Sequence, residues 1–390
     1  MSKVLIMGES RSDERPARMA GPAQRAKDGM PAKVLIMAGG TGGHVFPALA
    51  LARLLRKHSL EVVWLGTRRG IEARVVPAEN IPIEWLSIGG LRGKSSLTLL
   101  AAPFRLLVAL KQALSVMRRH QPRVVVGLGG FVTGPGGVAA WLTRKPIVIH
   151  EQNAVAGFTN RCLSNLATEV LEAFPGSFKA GVKARAIGNP VRQDILAVAA
   201  PAARFATRSG SIRILVFGGS QGAARLNAVV PFALARLAGS VHFEVRHQAG
   251  ERGLDTAKKS YADAKVRGDV TAFIQDMAEA YSWADLVICR SGALTVSELA
   301  AVGIAAVLVP FPAAVDDHQT RNAQYLVSEG AAVLIPEREL SAERLAAELQ
   351  TLCAGRGKLL AMAERARLLA RPHAADELAE SCLKYVRSAA

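Results

Sequence analysis

Three glycine-rich turns, each directly after a short run of strand-forming residues, limit what this chain can fold into more than any other feature. They are Gly39-Gly40-Thr41-Gly42-Gly43-His44 after Lys33–Met37, Gly127-Leu128-Gly129-Gly130 after Arg123–Val126, and Gly218-Gly219-Ser220-Gln221-Gly222-Ala223 after Ile212–Phe217. A glycine turn from strand to helix exposes backbone N–H groups at the positive end of the helix, where a diphosphate fits. Two turns lie in the first half and one in the second. The layout predicts two nucleotide-fold halves facing each other across a cleft, with phosphate-bearing molecules on both sides.

Alternation of short apolar runs with helical patterns supports this. Strand-like runs in the first half are Val34–Met37, Val62–Leu65, Ile83–Leu86, Val124–Val126 and Ile147–Ile149, with helical patterns such as Ala48–Lys57 and Leu106–Arg118 between them. The second half repeats the scheme with Ile212–Phe217, Phe243–Arg246, Val270–Ile274, Leu286–Cys289, Ala306–Val309 and Val333–Ile335. Repeated βαβ units predict an α/β fold of parallel sheets with helices on both faces. The expected division is residues 30–193 as a first domain, 194–211 as an Ala-rich linker, 212–370 as a second domain, and 371–390 as a final helix able to pack back on the first. Residues 1–29 read as an extension. Ser2–Gly8 nearly repeats Ala32–Ala38 and is followed by a polar, Arg-rich stretch, so disorder or a misplaced start codon accounts for it equally well.

Charge narrows the partners. A formal charge of +17 over 390 residues calls for a polyanion: nucleic acid, acidic membrane, or phosphorylated substrate. From Trp85 to His150 there is no Asp or Glu, while Arg92, Lys94, Arg105, Lys111, Arg118 and Arg119 lie among Leu, Val and Ala. Such a segment reads as a surface for anionic lipid, although a buried helix with a solvated basic face has the same composition. No apolar run reaches the ~18 residues of a spanning helix; Leu97–Leu110 is broken by Pro103 and Arg105. With no signal-peptide core at the N-terminus, the expectation is peripheral contact on the cytosolic side of the membrane. The second half shows no aromatic platform among basic residues, so nucleic acid is not the expected partner. The four cysteines, Cys162, Cys289, Cys353 and Cys382, form no C-x-x-C pair and predict reduced thiols.

Two motifs fail on spacing. A dinucleotide fingerprint starting at Gly40 needs glycine where Val45 stands, and Thr67-Arg68-Arg69 replaces the acid at the end of the second strand. A G-x-x-x-x-G-K-[ST] loop ending at Lys94-Ser95 needs glycine where Ile88 stands. What remains is a loop whose N–H groups and Thr41 hydroxyl hold phosphate, ending in His44. A histidine there is a general base or a phosphate ligand. Downstream, Ser291–Glu298 forms another strand-to-helix junction. Glu298, one turn in, either accepts two hydrogen bonds from a ribose diol or is an acid placed favourably in the helix dipole.

Seven motifs in order carry a resemblance: Gly39–Pro47, Gly127–Gly137, His150-Glu151-Gln152-Asn153, Gly188-Asn189-Pro190-Val191-Arg192, Gly218–Ala223, Ser291–Glu298 and Asp317-His318-Gln319. From Lys33 to the C-terminus the chain closely resembles the MurG family of bacterial N-acetylglucosaminyltransferases. The resemblance implies a GT-B fold of two Rossmann-like domains. It implies inverting transfer of GlcNAc from UDP-GlcNAc to the MurNAc 4-hydroxyl of undecaprenyl-diphospho-MurNAc-pentapeptide, in cell wall synthesis. It implies donor contacts from Thr41, Gly42, Gly43, Asn153, Arg192 and Ser220, from Ile274 to uracil, from Ala293, Leu294, Thr295, Val296, Ser297 and Glu298 to diphosphate and ribose, and from Gln319 to sugar hydroxyls. Gly40, Thr41, Gly129 and Gly130 would meet the acceptor diphosphate, with His44 as base. No metal or other cofactor is expected, since no Asp-x-Asp pair stands out and helix ends take that role; magnesium could still act through the substrates. Cell-wall and division proteins are candidate partners. A UDP-sugar epimerase of the same fold and a non-catalytic sugar-nucleotide-binding protein are the alternatives.

Overall fold

A run such as Val34-Leu35-Ile36-Met37 has no polar face, so it belongs inside a sheet covered on both sides. In the computed structural model, which describes residues 31–89, 102–219, 222–312 and 317–388, that run is a fully buried strand. The first sheet holds β1 (Lys33–Ala38), β2 (Glu61–Gly66), β3 (Ile83–Trp85), β4 (Val124–Gly129), β5 (Ile147–Glu151), β6 (Glu169–Glu172) and β7 (Ala184–Ala186), ordered β3-β2-β1-β4-β5-β6-β7. The second holds β8 (Ile212–Phe217), β9 (Phe243–Gln248), β10 (Asp269–Thr271), β11 (Leu286–Cys289), β12 (Ala305–Leu308) and β13 (Ala332–Leu334), ordered β10-β9-β8-β11-β12-β13. All described pairings are parallel. Strand order reverses between β1 and β4 and again between β8 and β11. In such a sheet the crevice at the reversal is where ligands bind. The glycine turns follow β1, β4 and β8.

The sequence does not announce β6 and β7. Thr168–Glu172 has a Glu at each end of its strand, and β7 carries an exposed Arg185. The Glu172 carboxylate is nonetheless buried, and accepts from Gly176 N and Ser177 N (both 3.0 Å). The stretch read as a linker is also structured. Helices Gln193–Leu196 and Pro201–Ala206 bury Ile195, Val198 and Phe205 in the second domain. Arg204 donates there to Ala199 O, Val302 O and Gly303 O. Small alanine-rich turns have too little apolar contrast to be seen by periodicity. The extension, residues 1–29, lies outside the described residues.

A second buried charge closes the start of β11. Asp285 is fully buried and takes Arg213 N (2.9 Å), Arg208 and Arg356 (3.5 Å). It therefore joins the beginning of β8, the segment just after helix Pro201–Ala206 and helix Arg356–Leu368.

The chain crosses between domains twice, at Gly188–Pro190 and near Arg371. Helix Ala374–Ser388 then lies on helix Gly42–Lys57, with Leu378, Cys382, Leu383 and Val386 inside the first-domain core. Gly188 sits at φ +90, and a Cβ there would overlap Arg371. Only glycine lets the two crossings touch.

Candidate functional site

The first loop opens where β1 ends. Helix Gly42–Lys57 has no acid in its first turn and no side-chain cap at Thr41, which is exposed. The first N–H groups of a helix find no partner within it, so those of Gly42 and Gly43 face outward. Gly40, at φ +92, donates its N–H to Glu72 Oε2 (2.9 Å). Glu72 is fully buried, and its Oε1 accepts from Thr67 N (2.9 Å) and Thr67 Oγ1 (2.8 Å). A carboxylate with neutral donors alone thus braces the loop from below. Nothing in the sequence marks Glu72, since one acid in a charged stretch has no signature.

The second loop docks on the first. Gly130, at φ +88, has its Cα so close to Gly39 O that a Cβ would overlap it. Gly129, at φ +113, faces His44: a Cβ there would lie 2.7 Å from His44 Nδ1. Thr133 Oγ1 donates to Gly129 O (2.9 Å) and fixes the turn. His44 Nδ1 lies 2.8 Å from Gln152 Oε1, and Gln152 Nε2 lies 3.0 Å from His150 Nδ1. Beyond β5, Glu151 accepts from Asn153 N (2.9 Å), Asn153 Nδ2 (3.2 Å), Gly157 N (3.1 Å) and Asn160 Nδ2 (2.9 Å). The loop bearing Asn153 is held from inside.

On the second domain, helix Ala293–Val302 follows β11. It has no side-chain cap at Gly292 and no acid in its first turn. The N–H groups of Ala293, Leu294 and Thr295 are open to a phosphate. The Val296 side chain is fully buried and its N–H bonds Gly292 O (2.9 Å). Ser297 is likewise occupied, donating to Ala293 O (2.9 Å) and accepting from Asn189 Nδ2 (3.0 Å). Gln319 Oε1 accepts from Phe311 N (2.9 Å), which leaves its amide N–H groups for a ligand. Ile274 is half-buried between β10 and helix Met277–Trp283. Ser220 and Gln221 lie outside the described residues.

Glu298 accepts from Tyr281 Oη (3.0 Å). Burial pushes its carboxyl up to about 7, while the Tyr281 hydroxyl and the nearby Arg192 guanidinium pull it down. Arg192 is half-exposed and 3.6 Å from Asp194. If a ribose diol donates to this carboxylate, binding favours the ionised form. The Michaelis constant for donor should then rise by up to about tenfold per pH unit below neutrality. Glu298→Gln should raise that constant about 10- to 100-fold and flatten its pH dependence. Initial rates across pH 5.5–8 check this.

The two halves are stitched at the floor of the cleft. Asn189 Nδ2 reaches Gln152 O (3.0 Å) as well as Ser297 Oγ. Asn322 Oδ1 accepts from Ala154 N (2.8 Å), and its amide donates to Asn153 Oδ1 (3.3 Å) and Ser291 O (3.2 Å). Asn153 is therefore committed on both sides of its amide and braces the floor.

The basic segment divides in two. Helix Ala102–His120 leads into β4, so in a parallel unit its N-terminal end lies at the same sheet edge as the glycine loops. There Pro103–Leu107 is exposed on every side, with Phe104 at 70% and Leu107 at 58%. Arg105 and Lys111 flank it, and Phe131 and Phe158 are exposed on the same edge. Arg118 and Arg119 are about 21 Å further along the helix, at the opposite edge, and Arg119 is paired with Glu84 (2.9 Å). They therefore stand apart from the exposed apolar end of the helix. Arg92 and Lys94 lie outside the described residues. Among the described residues no helix is long and apolar enough to cross a membrane, and no group of three or more His, Cys, Asp or Glu could hold a metal ion.

Residues 34–172 match the glycosyltransferase family 28 N-terminal domain, and 213–378 match its C-terminal domain. The chain belongs to glycosyltransferase family 28. Family 28 relatives resemble it over nearly their whole length. It is 58% identical over 356 residues to a UDP-N-acetylglucosamine--N-acetylmuramyl-(pentapeptide) pyrophosphoryl-undecaprenol N-acetylglucosamine transferase of Alkalilimnicola ehrlichii, covering 91% of this chain and 99% of the relative. A protein of the same name from Nitrosococcus oceani is 56% identical, with the same coverage. The crystal structure of Acinetobacter baumannii MurG superposes with a TM-score of 0.82 at 43% identity, covering 91% of this chain and all of that one. The architecture is the GT-B pair of Rossmann-like domains.

Proposed function

We propose that this family 28 enzyme transfers N-acetylglucosamine from UDP-GlcNAc to the MurNAc 4-hydroxyl of the undecaprenyl-diphosphate-linked MurNAc-pentapeptide, completing the lipid-linked disaccharide of peptidoglycan. The observation that carries the chemistry is the Asn189 bridge. It joins the loop that bears Gln152, and through it His44, to helix Ala293–Val302. Two acid-free helix starts, one of them carrying His44, are thereby tied to each other. The donor diphosphate would sit on Ala293–Thr295, the acceptor diphosphate on Gly40–Gly43 and Gly129–Gly130. The 4-hydroxyl attacks the anomeric carbon from the face opposite UDP while His44 takes its proton, inverting the centre. UDP leaves into open N–H groups and the Arg192 guanidinium, which offset its growing charge. Helix ends serve here where other transferases use a divalent cation. The test is turnover with UDP-GlcNAc and a short-chain acceptor in excess EDTA, with UDP release read against disaccharide. UDP release without disaccharide, or no turnover until magnesium is added back, would sink this reading or its metal-free part respectively.

The same reading places the enzyme at the cytoplasmic face of the inner membrane, held peripherally at the end of helix Ala102–His120. Exposed Phe104, Leu106 and Leu107 beside Arg105 and Lys111 support this, because apolar insertion and about 1 kcal/mol per nearby cation add together. Phe104→Ser with Leu107→Ser should cut co-sedimentation with anionic liposomes at least fivefold. It should raise the Michaelis constant only for the long-chain acceptor. Arg118→Glu with Arg119→Glu should change neither.

A further inference from the structure

We propose that Gln152 and His150 are positioning residues that set the tautomer of His44, holding its proton on Nδ1 and leaving Nε2 free for the acceptor hydroxyl. The inference rests on His44 being the base. A neutral imidazole carries one proton on either nitrogen, and its neighbours decide which. A base whose outward nitrogen is already protonated takes nothing.

The assignment starts at the far end. His150 is fully buried, and its Nε2 lies 2.9 Å from Gly188 O. A carbonyl only accepts, so Nε2 is the protonated nitrogen and Nδ1 is bare. Burial pushes this imidazole down to about 4, which keeps it neutral at working pH. Next is Gln152, whose amide has two acceptors at one end: His150 Nδ1 at 3.0 Å and His150 O at 3.1 Å. Only the NH2 group satisfies both. The flipped amide would set its oxygen against a carbonyl and a bare nitrogen inside the protein. Gln152 Oε1 therefore faces His44 Nδ1 at 2.8 Å, and as an oxygen it can only accept. His44 Nδ1 carries the proton. Among the described residues Nε2 has no hydrogen-bond partner.

Gly129 completes the device. With no Cβ, it lets the ring lie against its backbone, where a methyl would come within 2.7–2.8 Å of Nδ1 and Cε1. The ring is gripped on one face and pinned at one nitrogen. No proton moves along the chain, because an amide cannot relay one at neutral pH. In the transfer step the acceptor O–H bond breaks and an N–H bond forms at His44 Nε2. The resulting imidazolium keeps its Nδ1–H bond to Gln152. The anchor of the series, Gly188 O, lies at the first crossing between domains, so the base is referenced to the joint that carries the donor domain.

The decisive measurement is the 15N shift pair of His44 in histidine-labelled protein at pH 8, assigned by its loss in His44→Ala. The expected spectrum shows a protonated Nδ1 and a bare Nε2; the reverse pattern overturns the proposal. Gln152→Leu should mix the two tautomers and lower kcat by roughly 10²-fold or more, as a wrong tautomer does elsewhere, with the UDP-GlcNAc Michaelis constant within about twofold. Gln152→Glu keeps an acceptor at Nδ1. It should recover part of the lost kcat and move the acid limb of the pH–rate profile upward. Unchanged kcat and spectrum in Gln152→Leu would also overturn the proposal. If Gln152→Leu fails to fold, the wild-type spectrum still decides. Near-normal turnover of His44→Ala would instead remove the base assignment while leaving the tautomer result intact, so the two failures are distinguishable.

Discussion

His44→Ala is expected to lower turnover by at least about 10²-fold, with the Michaelis constant for UDP-GlcNAc within about threefold of wild type. Deprotonation of a sugar hydroxyl is needed only as that hydroxyl attacks. A group that serves it acts in the transition state and contributes little to the resting complex. The geometry around His44 favours this use over phosphate binding. A phosphate ligand would gain from being a cation, yet Gln152 supplies no negative charge to hold one. The loop already has open N–H groups at Gly42 and Gly43 for the diphosphate. Steady-state rates at saturating acceptor decide the matter. A variant that keeps near-normal kcat but needs much more acceptor would make His44 a phosphate contact.

The largest stability effect is expected at Asp285→Ala, on the order of 3–5 kcal/mol and about 10 °C in the melting transition of the second domain. This carboxylate is fully buried between Arg208 and Arg356 and also accepts Arg213 N at 2.9 Å. Removing it leaves two guanidinium groups with backbone carbonyls but no counter-charge, and a strand N–H without its acceptor. Asp285→Asn keeps one acceptor oxygen and should cost less than Asp285→Ala. Calorimetry with bound UDP separates the domains, because the ligand raises only the transition of the domain it occupies. A drop below about 1 kcal/mol would mean that water reaches the cluster.

Most of the scaffold is legible in the chain because buried parallel strands leave an unalternated apolar run. β1, β2, β4, β8 and β11 fall where those runs are. β6 escapes because its buried face is bounded by Glu169 and Glu172, whose carboxylates are satisfied by Ser381 on the closing helix and by the Gly176 and Ser177 N–H groups just downstream. The loops are legible for the same local reason: a glycine turn signals itself. What holds them is not. Glu72 is thirty-two positions from the Gly40 N–H that it accepts, and Asn189 lies 108 from Ser297. His150 and Gln152 sit in a motif visible in the sequence. Their service to His44, 108 positions from Gln152, exists only once β1 and β5 share a sheet.

The closing helix, Ala374–Ser388, carries a consequence for how the molecule comes into being. Leu378, Cys382 and Leu383 fill space under helix Gly42–Lys57 and complete the first-domain core. During synthesis the amino-terminal half must therefore wait, incompletely covered, while the other half is made and can fold ahead of it. Maturation of the earlier-born domain is timed by this late segment, so a chain cut short before that helix fails first at its beginning.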